Sequence, residues 1–284
     1  MLSPPIAVTP DRGDWPAVRA CLSAHGSAAV YGELAAWSPD DEDSPALRAV
    51  LGRDWPCGRI GEHAPSRRRY IASRLLLKHT AAAALRAEAT DLEMAYGLTG
   101  RPSVWGCDQI DLSLSHSDAL LLVGLTSRGR IGVDAERADR QLHGLRMARS
   151  VCTPGERNAL ETLPEEERND RLVCLWTLKE AYTKAIGQGM RFPFTAFGFD
   201  LGPPEDAGHP GCRPPRLCRP DGTPCEGTAW SFRTDVLHLG DVAFRVSTAV
   251  RDAGLGRTAN IEAATTLDPE IFAAVSGALA EPSG

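Results

Sequence analysis

The stretch Ile131-Gly132-Val133-Asp134-Ala135-Glu136 decides the reading of this chain. In a strand, residues two apart face the same side. Asp134 and Glu136 then project together, while Val133 and Ala135 turn into a core. Two adjacent carboxylates repel, and a cation resolves the repulsion. Oxygen ligands suit Mg²⁺, which takes a few carboxylates together with water and substrate phosphates. Taken alone, the same D-x-E pattern is equally an exposed strand face with two acids.

Working outward, the order of elements on one side of residue 128 returns on the other. Before it, Ser27–Leu34 reads as a strand and Ser66–Ala87 as a long helix begun by a Ser cap and rich in Leu, Ala, Arg and Lys. Two apolar runs follow, at Leu112–Leu114 and Leu120–Leu125, with the polar Ser115-His116-Ser117-Asp118 as a hairpin turn. After it come the strand 131–136 and a helix started by Thr153-Pro154-Gly155-Glu156, a Thr cap with a first-turn Pro and an acid three residues on. A longer helix then covers Asn169–Ile186, and a strand pair covers Trp230–Val250 with its turn near Leu239-Gly240-Asp241. Strand, helix, hairpin thus occurs twice, with no residue-level repeat. The expected fold is α+β, with two similar halves, 1–127 and 128–250, each a small, mostly antiparallel sheet packed on a long helix. Residues 1–25 read as irregular, Asp40–Asp43 as a solvated loop and 201–227 as a loop rich in Pro, Gly and Cys. Residues 251–284 read as a peripheral tail with a helix start at Asp268-Pro269-Glu270 running to Leu279.

Composition narrows the function classes. Of 284 residues, 43% are hydrophobic and 24% charged, which suits a globular protein with a sizeable core. A net charge of −6 argues against wholesale nucleic-acid binding, though not against a local basic pocket. No run of 18 apolar residues exists, so no membrane span is expected. The opening MLSPPIAVTPDRGDW lacks a cationic region followed by an apolar core, so a cytoplasmic protein is expected. The eight cysteines contain no C-x-x-C and read as free thiols. His209, Cys212, Cys218 and Cys225 match no standard zinc spacing.

Three further features carry chemistry. In Trp176-Thr177-Leu178-Lys179-Glu180-Ala181-Tyr182-Thr183-Lys184, the residues Trp176, Glu180 and Lys184 share one helical face. The plain alternative is a surface Glu–Lys pair worth about 0.3–0.5 kcal/mol. Leu112-Ser113-Leu114-Ser115-His116-Ser117 sets a Ser–His pair at a strand end, able to bind phosphate or to begin a nucleophile–base pair. No G-x-S-x-G surrounds either serine, and a Ser/His-rich turn is common. Arg67, Arg74 and Lys78 fall on one helical face, with Arg68 and Arg69 nearby and Arg101 in a Gly-Arg-Pro loop. Arginine suits phosphate, although a solvated helix face would look the same.

The order G-R-P, L-S-L-S-H-S, G-V-D-A-E, W-T-L-K-E-A-Y-T-K resembles the 4′-phosphopantetheinyl transferase superfamily, in its longer, monomeric, surfactin-synthetase-activating type. The resemblance covers about residues 27–250. It implies a pseudodimer of two halves, in agreement with the repeated element order. It also implies transfer of 4′-phosphopantetheine from coenzyme A to a serine of an apo acyl or peptidyl carrier protein, with release of 3′,5′-ADP. By the same resemblance Asp134, Glu136 and Glu180 match Mg²⁺ ligands, and Glu180 also matches the base for the incoming serine. Lys184 matches a phosphate-binding lysine, Ser115 and His116 match coenzyme A contacts, and Arg101, Arg74 and Arg69 match basic contacts to that ligand. Ala135 stands where some members carry a larger or metal-binding side chain. The competing readings are a Mg²⁺-dependent phosphohydrolase, with water in place of the serine, and a non-catalytic nucleotide-binding protein.

Overall fold

Residues 2–11, 13–55, 64–142, 145–202, 213–226 and 229–253 are described by the computed structural model. The tail from 254, with the helix expected over 268–279, lies outside the described residues, as do His209 and Cys212 of the zinc reading. Among the described residues the cysteines are free thiols, and no helix is long and apolar enough to cross a membrane.

The chain begins with strand β1 (Ile6–Ala7) and helix α1 (Trp15–His25), where the sequence reads as irregular. Asp14 caps α1 through the N–H of Ala17, and Gly26 closes it at φ 73°, a conformation that suits glycine. Strand β2 (Ser27–Glu33), short helices α2 (Leu34–Trp37) and α3 (Pro45–Leu51) and the long helix α4 (Ala64–Leu85) follow. A small hairpin of β3 (Met94–Tyr96) and β4 (Pro102–Val104) leads to β5 (Asp111–Ser117) and β6 (Leu120–Thr126). The first sheet has the order β1-β2-β6-β5.

The order is then repeated. Strand β7 (Gly129–Arg137) is followed by helices α5 (Leu145–Val151), α6 (Pro154–Glu161) and the long α7 (Glu165–Ala185). Short strands β8 (Gly198–Asp200) and β9 (Arg216–Cys218) pair, the second of them inside the segment 201–227 expected to be loop. The hairpin of β10 (Trp230–Leu239) and β11 (Val242–Asp252) completes a second sheet, ordered β10-β11-β7. In both sheets the strand before the long helix pairs antiparallel with the second strand of the later hairpin: β2 with β6, β7 with β11.

The period-2 pattern of β6 explains how the sheets stack. Leu121, Val123 and Leu125 pack toward Ala72, Leu76 and Leu77 of α4. Leu120 and Leu122, on the opposite face, join Ile131, Val133 and Ala135 of β7 and Phe244, Val246 and Val250 of β11. The two sheets therefore meet through this second cluster, with α4 on the far side of the first. Helix α7 covers the far side of the second sheet, and there Gly132 is indispensable: a Cβ on it would lie 1.8 Å from the carbonyl oxygen of Ala181. Only glycine lets β7 approach the helix this closely.

Candidate active site

Strands β5 and β7 are the facing edges of the two sheets, and side chains rather than a backbone ladder join them. β5 alternates Leu112 and Leu114, packed toward α4, with Asp111, Ser113, Ser115 and Ser117 on the other face. Asp111 accepts the N–H of Ile131 at 2.7 Å and Ser113 Oγ accepts that of Val133 at 3.1 Å. Ser115 donates to Asp134 and Ser117 to Glu136, each at 2.8 Å. The hairpin turn expected over Ser115–Asp118 is corrected here: the strand runs through Ser117, because these hydroxyls hold the acids of β7.

Asp134 and Glu136 do share a face, as the alternation requires, with Val133 and Ala135 buried behind them. They line one cleft of about 450 Å³ with Glu180, Lys184 and Trp176 of α7, and with Arg74, Ser115, His116 and Arg140. Lys184 Nζ lies 2.7 Å from Asp134 Oδ1, 3.1 Å from Ser115 Oγ and 3.2 Å from the carbonyl of Val133. Ser115 is thus bonded to Asp134 and Lys184, and the Ser–His nucleophile–base pair is not formed. Glu136 is paired with Arg140, whose guanidinium also sits 5.5 Å from the Trp176 ring. Sequence reasoning missed Ser117 and Arg140. The period-2 spacing of Ser113, Ser115 and Ser117 was the available signal for Ser117.

Glu180 is buried, and burial together with the neighbouring charge of Asp134 pushes its carboxyl up to about 7, against a smaller opposing effect of Lys184. Among the described residues no three His, Cys, Asp or Glu side chains already stand as a metal cage. The donor chemistry nonetheless fits a hard divalent cation: three carboxylates face one cleft, and burial together with the charge of Asp134 disfavours the ionised form of Glu180 in the absence of a cation.

The basic residues divide. Arg74 lines the cleft, with its guanidinium carbon 4.7 Å from the Tyr70 ring and 4.6 Å from the Tyr96 ring. The Tyr96 hydroxyl is itself anchored on Asp54 at 2.6 Å. His116 is exposed at the rim, yet the surrounding protein and the charges of Arg69, Lys184 and Arg74 lower its pKa, leaving the imidazole neutral at pH 7. The Nε of both Arg69 and Arg74 is buried without a hydrogen-bond partner. The rest of the expected basic face is corrected. Arg67 pairs with Glu42 at 3.1 Å and Asp43 at 3.2 Å, and Lys78 is fully buried with its ammonium on the carbonyl of Val50. Arg101 does not line the cleft, although Gly100 and Pro102 do. Its guanidinium is bound to Asp111 and to the carbonyls of Lys184 and Ile131.

Two edge strands and a long helix thus gather acids and bases into one cleft of about 450 Å³. Residues 130–211 match the model of the 4′-phosphopantetheinyl transferase superfamily. A putative 4′-phosphopantetheinyl transferase of Synechocystis is 30% identical over 149 residues, 51% of this chain and 61% of that protein. The 4′-phosphopantetheinyl transferase HetI of Nostoc is 32% identical over 129 residues, 44% of this chain and 54% of that protein. The match thus spans between about half and three-fifths of these curated relatives. A holo-(acyl-carrier-protein) synthase from Bacillus anthracis, solved in complex with CoA (3′,5′-ADP), matches at 18% identity and a TM-score of 0.31, over 43% of this chain and 94% of that one. Over these residues the chain is similar to the 4′-phosphopantetheinyl transferase superfamily.

Proposed function

We propose that this chain transfers the 4′-phosphopantetheine arm of coenzyme A to a serine hydroxyl of an apo acyl or peptidyl carrier protein and releases 3′,5′-ADP. The observation that carries the reading is the meeting, in one cleft, of Asp134, Glu136 and Glu180 with Lys184, Arg74 and His116. Neither a lone D-x-E nor a surface Glu–Lys pair would produce it.

Asp134, Glu136 and Glu180 would hold Mg²⁺, which supplies charge neutralisation at the pyrophosphate. Lys184 adds a second positive charge from the C-terminal end of α7, where it stabilises negative charge developing on the phosphoryl oxygens. Arg74 is set by its two tyrosines to take the nucleotide phosphate, and neutral His116 offers a hydrogen bond beside it. Ser115 and Ser117 hold the carboxylates of β7 in place. The carrier serine attacks the phosphorus nearer the pantetheine, the bond from that phosphorus to the bridging oxygen breaks, and the electron pair leaves with 3′,5′-ADP. Glu180, at the edge of the metal site, takes the serine proton directly or through water.

The same reading assigns a pseudodimer of halves meeting near residue 128, with the cleft at their junction, and a monomer of the longer, peptide- and polyketide-synthase-activating type acting in the cytoplasm. Incubation of the full chain with coenzyme A, Mg²⁺ and a panel of apo carriers, followed by intact mass, tests it. One phosphopantetheine added to at least one carrier is the expected result; unmodified carriers across the panel would remove the reading.

A further inference from the structure

We propose that Arg101 is a positioning residue that holds Lys184 in place, and not a contact to the phosphates of coenzyme A. The inference rests on the transfer reading above and concerns how one of its residues is set.

The observation is where the guanidinium points. Arg101 enters from the loop between β3 and β4, next to Gly100 at φ 78°. Its Nε donates to Asp111 Oδ1 at 3.1 Å, and its Nη2 donates to Asp111 Oδ2 and to the carbonyl of Ile131 at 2.6 Å. Its Nη1 donates to the carbonyl of Lys184. Four bonds engage a side chain that is 15% exposed, leaving one of the five guanidinium donors for any ligand.

The partners show what this arrangement does. The last carbonyls of a helix have no intrahelical donor, and a cation there also suits the helix dipole. The carbonyl of Lys184 already accepts the N–H of Gly187 at 3.0 Å, and Arg101 adds a second donor and a cation at the end of α7. Asp111 in turn accepts the N–H of Ile131 at 2.7 Å and Arg130 at 3.2 Å, so the guanidinium fastens helix, β5 and the start of β7 together. Lys184 is held at both ends, its carbonyl on Arg101 and its ammonium 2.7 Å from Asp134. A phosphate gripping Arg101 through two donors would have to displace one of these partners, since only one Nη1 donor is unused.

The test uses the full chain with substitutions Arg101→Ala, Arg101→Lys and Asp111→Asn, alone and combined with Lys184→Ala. A positioning role predicts that Arg101→Ala lowers kcat on the order of 10–100-fold, the scale of a small displacement of a catalytic group. KM for coenzyme A should change little. The preference for coenzyme A over dephospho-coenzyme A should be kept. Asp111→Asn should reproduce the loss, Arg101→Lys should recover part of it, and neither substitution should lower kcat further once Lys184 is alanine. A phosphate contact predicts a different pattern: a raised KM, a collapsed 3′-phosphate preference, and equal or tighter coenzyme A binding in Asp111→Asn, which releases the arginine. That pattern would overturn the proposal, as would a kcat loss that adds fully to that of Lys184→Ala. Should Arg101→Ala not fold, Arg101→Lys and Asp111→Asn carry the same comparison. A wild-type chain that modifies no carrier would instead overturn the transfer reading, and the proposal with it.

Discussion

The ammonium of Lys184 lies 2.7 Å from Oδ1 of Asp134, so the last turn of α7 and the middle of β7 share one ion pair at the floor of the cleft. The Ser115 hydroxyl touches both groups. Gly132 makes the approach of strand to helix possible, two residues before Asp134.

Replacing Asp134 or Glu180 by alanine should therefore stop transfer without unfolding the chain. Loss of one electrostatic partner of the transition state costs about 3 kcal/mol or more, which is at least ~100-fold in kcat. Intact-mass assays at saturating Mg²⁺, beside thermal melts, check both halves of this statement. Near-normal turnover in either variant would remove the metal-site assignment.

Glu180 gives a pH dependence of stability. Its carboxyl is pushed up to about 7 in the folded chain from the ordinary carboxyl value of 4.5, by burial and by the charge of Asp134. Between those values the native state holds a proton that the unfolded state has released, so stability falls as pH rises through this window. Glu180→Gln cannot ionise. In metal-free buffer its stability relative to wild type should rise from about pH 4.5 and level off above about pH 7, by at most on the order of 3 kcal/mol. Urea melts across that range test it, and parallel curves for the two proteins would contradict it.

Lys179 points away from the cleft, although it adjoins Glu180. Its ammonium is fully buried, 2.7 Å from Glu156 Oε2 and 2.7 Å from each of the carbonyls of Phe194 and Phe197. Glu156 also completes the capping box with Thr153 that starts α6. Burial lowers the lysine pKa and Glu156 opposes that shift. Lys179→Met should destabilise by about 3–5 kcal/mol, because it leaves a buried carboxylate without its cation. The double variant Lys179→Met with Glu156→Gln should recover part of the loss. Equilibrium denaturation measures both.

Arg74→Ala should weaken coenzyme A binding more than it slows the chemical step, by about 1.5–3 kcal/mol, the range for hydrogen bonds to charged groups. Dephospho-coenzyme A should be used about equally by wild type and variant. If the variant keeps the full preference for the 3′-phosphate, Arg74 is not that contact, and His116 or Arg69 takes its place.

The sequence was readable where periodicity was local. The alternation in 131–136 placed the carboxylates on one face, the helical spacing of Trp176, Glu180 and Lys184 brought all three to one cleft, and Thr153–Glu156 began a helix. It was unreadable where the partner lies far along the chain. Spacing put Arg67, Arg74 and Lys78 on one basic face, but Lys78 finds an acceptor at Val50 and Arg67 finds acids at 42 and 43. The tie from Arg101 to the carbonyl of Lys184 spans 83 positions, and no local pattern announces it. The end of β5, Ser115–Ser117, looked like a turn because all three side chains are polar. Ser115 and Ser117 face another strand rather than solvent.

The most direct test of the account is release of 3′,5′-ADP from coenzyme A and Mg²⁺, followed with an apo carrier, with the same carrier bearing serine→alanine at its acceptor site, and with no carrier. The account predicts release only with the intact carrier, in one-to-one ratio with the carrier molecules modified. Release at the same rate in all three would make water the nucleophile and the chain a phosphohydrolase, contradicting the transfer of the arm to a serine.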